Sequence, residues 1–155
     1  MFTSLMLLSK EAIHQTCIDL VVEKIATLEQ AIQDANEAAN EDTKSSAGDK
    51  FETSREMMSL EINKNTAQLG LATEMLRHLR QIDPEATRNK VAFGSLVATN
   101  EGLYFFSVSL GKIKVEDKVC FALSLASPIG QALADKKAGD KVSFMNREVE
   151  ILEIE

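Results

Sequence analysis

In the first half of the chain, apolar side chains recur every three or four residues, which is the spacing of one face of a helix. From Lys10 onward the apolar positions are Ile13, Cys17, Leu20, Val21, Ile25, Leu28, Ile32, Ala35 and Ala39. No Gly or Pro interrupts this run. About 28 residues at the helical rise make a helix of roughly 40 Å. A helix of that length needs a partner that covers its apolar face.

A second run with the same spacing predicts the partner helix. Its apolar positions are Met58, Ile62, Leu69, Ala72, Leu76, Leu79 and Ile82. Asn65 takes a place in this seam, where a buried polar side chain can fix the register of two helices. The polar stretch from Asn36 to Asp49 separates the runs, and Asp83-Pro84 ends the second one. We therefore expect an antiparallel helical hairpin over residues 1–83, with Ala47–Thr53 as its turn.

The pattern changes after Pro84, and residues 84–90 are expected to be a linker. Residues 91–155 predict a small antiparallel sheet with one short helix, so the chain is expected to be an α+β protein of two domains. The helix is Ser127 to Leu133, with Ser127 as its N-cap and Pro128 at the first helical position. The strands are expected at Val91–Thr99, Leu103–Leu110, Val119–Leu125, Lys141–Met145 and Val149–Ile154.

Composition excludes several classes of function. The net charge of −7 opposes direct, nonspecific binding to DNA or RNA, and we expect no direct sequence-specific binding to DNA. Cys17 and Cys120 have no CxxC or Cys/His spacing, so we expect no zinc site and favour free thiols in a reducing cytoplasm. The apolar patch Leu5 to Leu8 is too short for a targeting signal, and no apolar run approaches the roughly 20 residues of a membrane span.

Two carboxylates lie three residues apart in the predicted turn. Asp49 as N-cap with Glu52 at the third helical position would form a capping box. Both acids would also favour the positive end of the helix dipole. Glu41 and Asp42 precede them in the polar stretch and are interpreted as solvated loop acids that make this end of the hairpin acidic. Alone, these residues predict a helix cap.

Several motifs resemble the bacterial transcript-cleavage (Gre) elongation factor family, and together they span most of the chain. The clearest is Ser127-Pro128-Ile129-Gly130-Gln131-Ala132-Leu133, which is similar to the family's Ser-Pro-Ile-Gly-x-Ala-Leu signature. Gly48-Asp49-Lys50-Phe51-Glu52 is similar to the Gly-Asp-x-x-Glu pattern of the family's hairpin tip. Three further segments look like the beginning and the end of the family's C-terminal domain: residues 91–95, 138–142 and 148–154.

The resemblance implies an FKBP-like C-terminal domain used for docking and a coiled-coil hairpin that enters the secondary channel of RNA polymerase. Asp49 and Glu52 would then complete the shell of a Mg²⁺ ion that the polymerase holds, with no cofactor of the protein's own. Such a protein stimulates cleavage of backtracked RNA and meets the RNA 3′ end only indirectly. It is not an enzyme by itself. The residues expected to contribute to binding are Glu41, Asp42, Arg55, Ser127, Pro128, Ile129 and Gly130.

Three alternatives stay open. The sequence has Thr53-Ser54-Arg55-Glu56 where the family has Asn-Ala-Glu-Tyr. A regulator that occupies the channel without causing cleavage, inhibitory or acting at initiation, would fit this difference. An FKBP-like domain also allows a prolyl isomerase, although its few aromatic residues are expected to form strand core. A plain coiled-coil interaction protein would leave the Ser-Pro-Ile-Gly match unexplained. His14, His78 and Ser127 are interpreted as packing, surface or capping residues and not as catalytic ones.

Overall fold

The computed structural model describes residues 8–44 and 48–155, and it describes only the backbone of residues 42–44 and 48–53. Two long helices are followed by six strands that form one sheet, and a short helix lies between the fourth and fifth strands in chain order. This architecture confirms the α+β class. The elements are α1 (Lys10–Lys44), α2 (Gly48–Arg80), β1 (Leu96–Thr99), β2 (Gly102–Phe106), β3 (Gly111–Val115), β4 (Lys118–Leu123), α3 (Pro128–Leu133), β5 (Lys141–Phe144) and β6 (Arg147–Ile154).

Both helices are longer than the apolar pattern predicts. α1 has 35 residues and α2 has 33, so each is about 50 Å long. The polar residues after Asn36 continue α1 to Lys44, because Ala and Glu favour the helix and the others cost only fractions of a kcal/mol each. α2 begins at Gly48, so Asp49–Thr53 is helix and not turn, and Asp49 lies inside the first turn instead of at the N-cap. Residues 45–47, including the predicted turn residue Ala47, lie outside the described residues.

The seam between the helices is confirmed by burial. Val21 is buried on α1 and Ala72 is buried on α2. Ile13, Cys17 and Leu79 are also buried, in the unit that contains the sheet. Asn65 is buried among the apolar seam positions, as expected for a register-fixing residue. The exception is Leu20, which the pattern placed in the seam and which is 41% exposed.

Contacts divide the chain into two compact units. One comprises Met1–Asp19 and Arg77–Glu155, and the other comprises Leu20–Leu76. The first turns of α1 and the last turn of α2 therefore belong to the same unit as the sheet. The expected domains at residues 1–83 and 91–155, with a linker at 84–90, rest on composition and stay a prediction.

The sheet is mixed, with strand order β3-β4-β2-β1-β6-β5. Its described pairs are antiparallel except β2–β4, which is parallel with Tyr104 opposite Phe121. The prediction of an antiparallel sheet missed this pair because it missed β3. β3 forms a hairpin with β4, and this hairpin brings β4 back alongside β2 in the same direction. The first strand also begins later than expected, at Leu96.

The two faces of the sheet carry separate cores. On one face, α3 packs on a cluster formed by Val91, Val97, Tyr104, Phe106, Leu133, Val149 and Ile151. On the opposite face, the ring of Phe105 meets the edge of the His14 ring from α1, with centroids 6.3 Å apart. The first turn of α1 is also tied down, because Lys10 Nζ donates to the carbonyl oxygens of Ala86 at 2.9 Å and Glu155 at 3.2 Å.

Candidate functional site

The acidic residues singled out from the sequence lie at the end of the hairpin where α1 ends and α2 begins. Glu41 and Asp42 are in the last turn of α1 and not in the loop that the sequence predicted, because α1 continues to Lys44, and Glu41 is exposed. Asp49 and Glu52 are in the first two turns of α2. Only three residues join the helices, so the topology brings the four acids to one end. The side chains of Asp42, Asp49 and Glu52 lie outside the described residues.

The helix ends account for only part of this arrangement. Positions 49 and 52 are three apart in α2, which places them on the same face of the helix. A carboxylate at a helix N-terminus is stabilised by about 0.3–1 kcal/mol, so Asp49 and Glu52 also suit the fold. Glu41 and Asp42 lie at the C-terminus of α1, where a carboxylate is unfavourable by a similar amount. Helix stability therefore does not explain why Glu41 and Asp42 lie at the end of α1.

Arg55 lies one turn beyond Glu52 on α2 and is exposed. It lines a shallow surface depression of about 520 Å³ together with Glu56, Ser59, Leu60 and Asn63. Leu60 is 69% exposed there. The depression offers mixed polar and apolar contacts but is not enclosed. Small-molecule sites are usually enclosed, so this depression is more typical of a surface that contacts another macromolecule.

The net charge is concentrated in the hairpin. Residues 1–76 contain 13 Asp and Glu against six Lys and Arg, whereas residues 77–155 contain 11 of each. The whole net charge of −7 therefore lies in the first half of the chain. A surface of this sign repels nucleic acid and attracts a positively charged partner surface.

The Ser-Pro-Ile-Gly motif builds the start of α3. Ser127 Oγ accepts a hydrogen bond from the Gly130 N–H at 3.1 Å and donates one to the Ser124 carbonyl oxygen at 2.6 Å, which confirms Ser127 as the N-cap. A Cβ at position 130 would lie 2.5 Å from the Ser124 oxygen and 2.6 Å from the Leu125 oxygen. Ser127 and Gly130 thus have structural roles, and the Ser127 hydroxyl is already used in capping.

Pro128 is the exposed member of this motif, at the first position of α3. Ile129 is partly buried against the core cluster of the sheet. Of the four residues expected to bind a partner here, Pro128 is therefore the one whose side chain is available. The motif lies in the unit that contains the sheet, and the hairpin end lies in the other unit.

The two histidines have structural surroundings. His14 is buried, and its Nε2 lies 2.7 Å from the Leu79 carbonyl oxygen; because a carbonyl only accepts, Nε2 is the donor. The His78 ring packs edge-on against Phe93 with centroids 6.5 Å apart. Within the described part of the chain, no three His, Cys, Asp or Glu side chains are grouped so that they could hold a metal ion.

The aromatic residues of the sheet pack against one another. Tyr104 contacts Phe106 and Phe121 with ring centroids 6.1 and 5.8 Å apart, inside the core under α3. Phe105 is fully buried on the opposite face. These rings fill the interior as expected, instead of lining a pocket for a proline side chain.

Shifted pKa values occur in the sheet unit and arise chiefly from burial. Burial raises the pKa of the Cys17 and Cys120 thiols to about 12. Burial, followed by the charge of Arg88, lowers the pKa of the Lys10 ammonium. The sequence pattern did not single out Lys10, because a lysine at the start of an amphipathic helix ordinarily lies in solvent.

Comparisons with known proteins do not identify a family for this chain. No family model matches the chain, and no curated protein matches it. The chain is similar to a solved structure described as "Structure of the transcription factor Gfh1", with 18% identity, 89% of this chain and 92% of that chain covered, and a TM-score of 0.34. A similarity at this level carries no functional argument. Separately, none of the described helices is long and apolar enough to cross a membrane.

Proposed function

We propose that the protein acts on RNA polymerase, inserting its hairpin into the secondary channel and stimulating cleavage of backtracked RNA. The observation that carries this proposal is the placement of Glu41, Asp42, Asp49 and Glu52 at one end of two helices about 50 Å long. A hairpin of that length can carry acids to a site that is recessed inside a partner. The resemblance of the sequence motifs to the Gre family indicates RNA polymerase as this partner.

Asp49 and Glu52 would supply carboxylate oxygens to a Mg²⁺ ion that the polymerase holds. Their positions fit this ion, because Mg²⁺ in proteins commonly takes only one or two carboxylates and keeps several waters. Positions 49 and 52 lie on one face of α2, which is the spacing that two ligands of one ion need. When bound, Mg²⁺ lowers the pKa of a coordinated water and stabilises the leaving oxygen. The protein thus assists the polymerase's chemistry, has no cofactor of its own and is not an enzyme alone.

The remaining surfaces have supporting roles in this proposal. The acidic hairpin would favour a channel lined with basic residues, and its charge opposes direct binding to RNA. Pro128 would contribute to a docking contact from the sheet unit. Action on RNA polymerase would place the protein in the cytoplasm.

A transcript-cleavage assay on stalled, backtracked complexes tests the mechanism. The double variant Asp49→Asn/Glu52→Gln removes both charges and keeps the side-chain shapes. We expect its cleavage rate to fall about a hundredfold or more, with unchanged affinity for polymerase. The matched control is Glu61→Gln, an exposed acid farther along α2, which should cleave like the parent. Unchanged cleavage in the double variant would exclude the assigned role of the two acids.

A second candidate is a regulator that occupies the channel without promoting cleavage. Arg55 favours it, because a cation three positions after Glu52 on the same helix is suitably spaced to pair with that carboxylate and compete with a metal ion. This candidate predicts that the protein displaces a cleavage factor from polymerase while leaving the RNA intact. Arg55→Ala would then raise cleavage activity.

A further inference from the structure

The two cysteines of the chain lie on different elements of the same unit. Cys17 is on α1 and Cys120 is on β4, and both side chains are 0% exposed. Both are free thiols. Neither has a part in the proposed function, which places its chemistry at the other end of the hairpin.

Phe105 lies close to the neighbours of both thiols. His14, one turn before Cys17 on α1, packs its ring edge against the Phe105 ring. Phe105 is paired with Ala122 in the parallel register of β2 and β4. Cys120 precedes Ala122 by two residues, so its side chain projects from the same face of the sheet as Phe105. Both thiols therefore lie in the layer between α1 and this face.

Electrostatics agrees with this geometry. Cys17 contributes, after burial, to the raised pKa of Cys120, and such an influence requires the two groups to be near each other.

We infer that Cys17 and Cys120 are a latent disulfide pair that, when oxidised, locks the start of α1 onto β4. Each thiol loses its hydrogen and one S–S bond forms. The two electrons and two protons pass to an oxidant of the disulfide class, which is reduced to two thiols. The bond would close a loop of roughly 100 residues.

Burial determines how fast this bond can form. The thiolate is the attacking species, and with a pKa of about 12 only about one thiol in 10⁵ is ionised at pH 7. The reduced pair is thus the resting form in the folded protein. The bond forms readily only when α1 leaves the sheet or while the chain folds in the presence of an oxidant.

Refolding under oxidising conditions tests the inference without polymerase. The reduced chain is unfolded in urea and refolded with glutathione disulfide, and intact mass, peptide mapping and thermal unfolding are then recorded. We expect a monomer lighter by about 2 Da with residues 17 and 120 joined. Its thermal midpoint should be roughly 5–15 °C above that of the reduced protein.

Cys17→Ser and Cys120→Ser are the matched controls, and in both we expect no internal bond and no oxidant-dependent shift. A cross-linked chain that fails to refold, or that melts below the reduced protein, would overturn the inference, and so would a chain that yields only bonds between molecules. Any effect of the bond on polymerase binding rests on the proposed function. Formation of the bond does not, so the two can fail separately.

Discussion

The glycine of the Ser-Pro-Ile-Gly motif gives a sharp test of the packing under α3. In the variant Gly130→Ala, the new methyl group would lie 2.5 Å from the Ser124 oxygen and 2.6 Å from the Leu125 oxygen. Real carbon–oxygen contacts of this kind are close to 3.3 Å or longer. The backbone must therefore shift by several tenths of an ångström, against a helix whose next turn holds the fully buried Leu133.

Forced overpacking of this kind costs about 1–3 kcal/mol. For a chain of this size that loss lowers the thermal midpoint by roughly 2–4 °C per kcal/mol. The free energy of unfolding is measured by urea denaturation followed by circular dichroism. Binding or cleavage assays are not needed, because the prediction concerns stability alone.

Gly70 provides a control in which the same substitution has the opposite sign. It lies inside α2, and a Cβ built there meets nothing within 4 Å. Gly70→Ala should therefore stabilise the protein by about 0.5–1 kcal/mol through helix propensity. A neutral Gly130→Ala, or a Gly70→Ala as destabilising as Gly130→Ala, would refute the assignment of steric constraint to position 130.

Two further predictions concern the unit that contains the sheet. Ser127→Ala removes the side-chain acceptor for the Gly130 N–H and should lower the free energy of unfolding by about 1 kcal/mol, measured by urea denaturation. Ser127→Thr, which keeps both the capping oxygen and the hydroxyl that donates to the Ser124 carbonyl, should retain most of it. Burial raises the pKa of Cys17 and Cys120 from 9.0 to about 12, so their contribution to stability is complete below pH 9 and is lost as the pH rises toward 12. By pH 10 the loss should be about 1.4 kcal/mol per thiol, and the double serine variant should lack it; equal alkaline slopes in the two proteins would contradict this.

The helical hairpin could be predicted because each helix is indicated by residues that are close together in the sequence. Apolar positions repeat over many turns, and Ile13, Val21 and Ala72 are buried as the spacing requires. The helix ends could not be placed from this signal, because the seam becomes weaker toward Lys44 while Ala and Glu keep the backbone helical. Asp49 was therefore expected at a cap and lies one position inside the helix.

The sheet was predicted less completely because its order depends on contacts that are distant in sequence. β3 is only five residues long and alternates Lys112 and Lys114 with Ile113 and Val115, between residues typical of turns. Without it, the parallel pairing of β2 and β4 could not be foreseen. The hydrogen bond from Lys10 to Ala86 joins residues 76 positions apart, and no local pattern marks it.

The residues of the candidate site came from motifs in the sequence, and their functional roles stay a prediction. The motif resemblance selected Asp49, Glu52 and the Ser127–Gly130 segment. The structure then separates their roles: Ser127 and Gly130 build α3, Pro128 is exposed, and the acids gather at the end of the hairpin. The side chains of Asp49 and Glu52 lie outside the described residues, so their role remains a proposal.

The central claim is that the end of the hairpin reaches the catalytic metal of RNA polymerase. It is tested most directly by loading polymerase with Fe²⁺ in place of Mg²⁺ and mapping where locally generated hydroxyl radicals cut the bound protein. The proposal predicts cuts confined to the neighbourhood of residues 41–52, at the junction of α1 and α2. Cuts confined to the sheet, or no cuts in a protein shown to be bound, would contradict it.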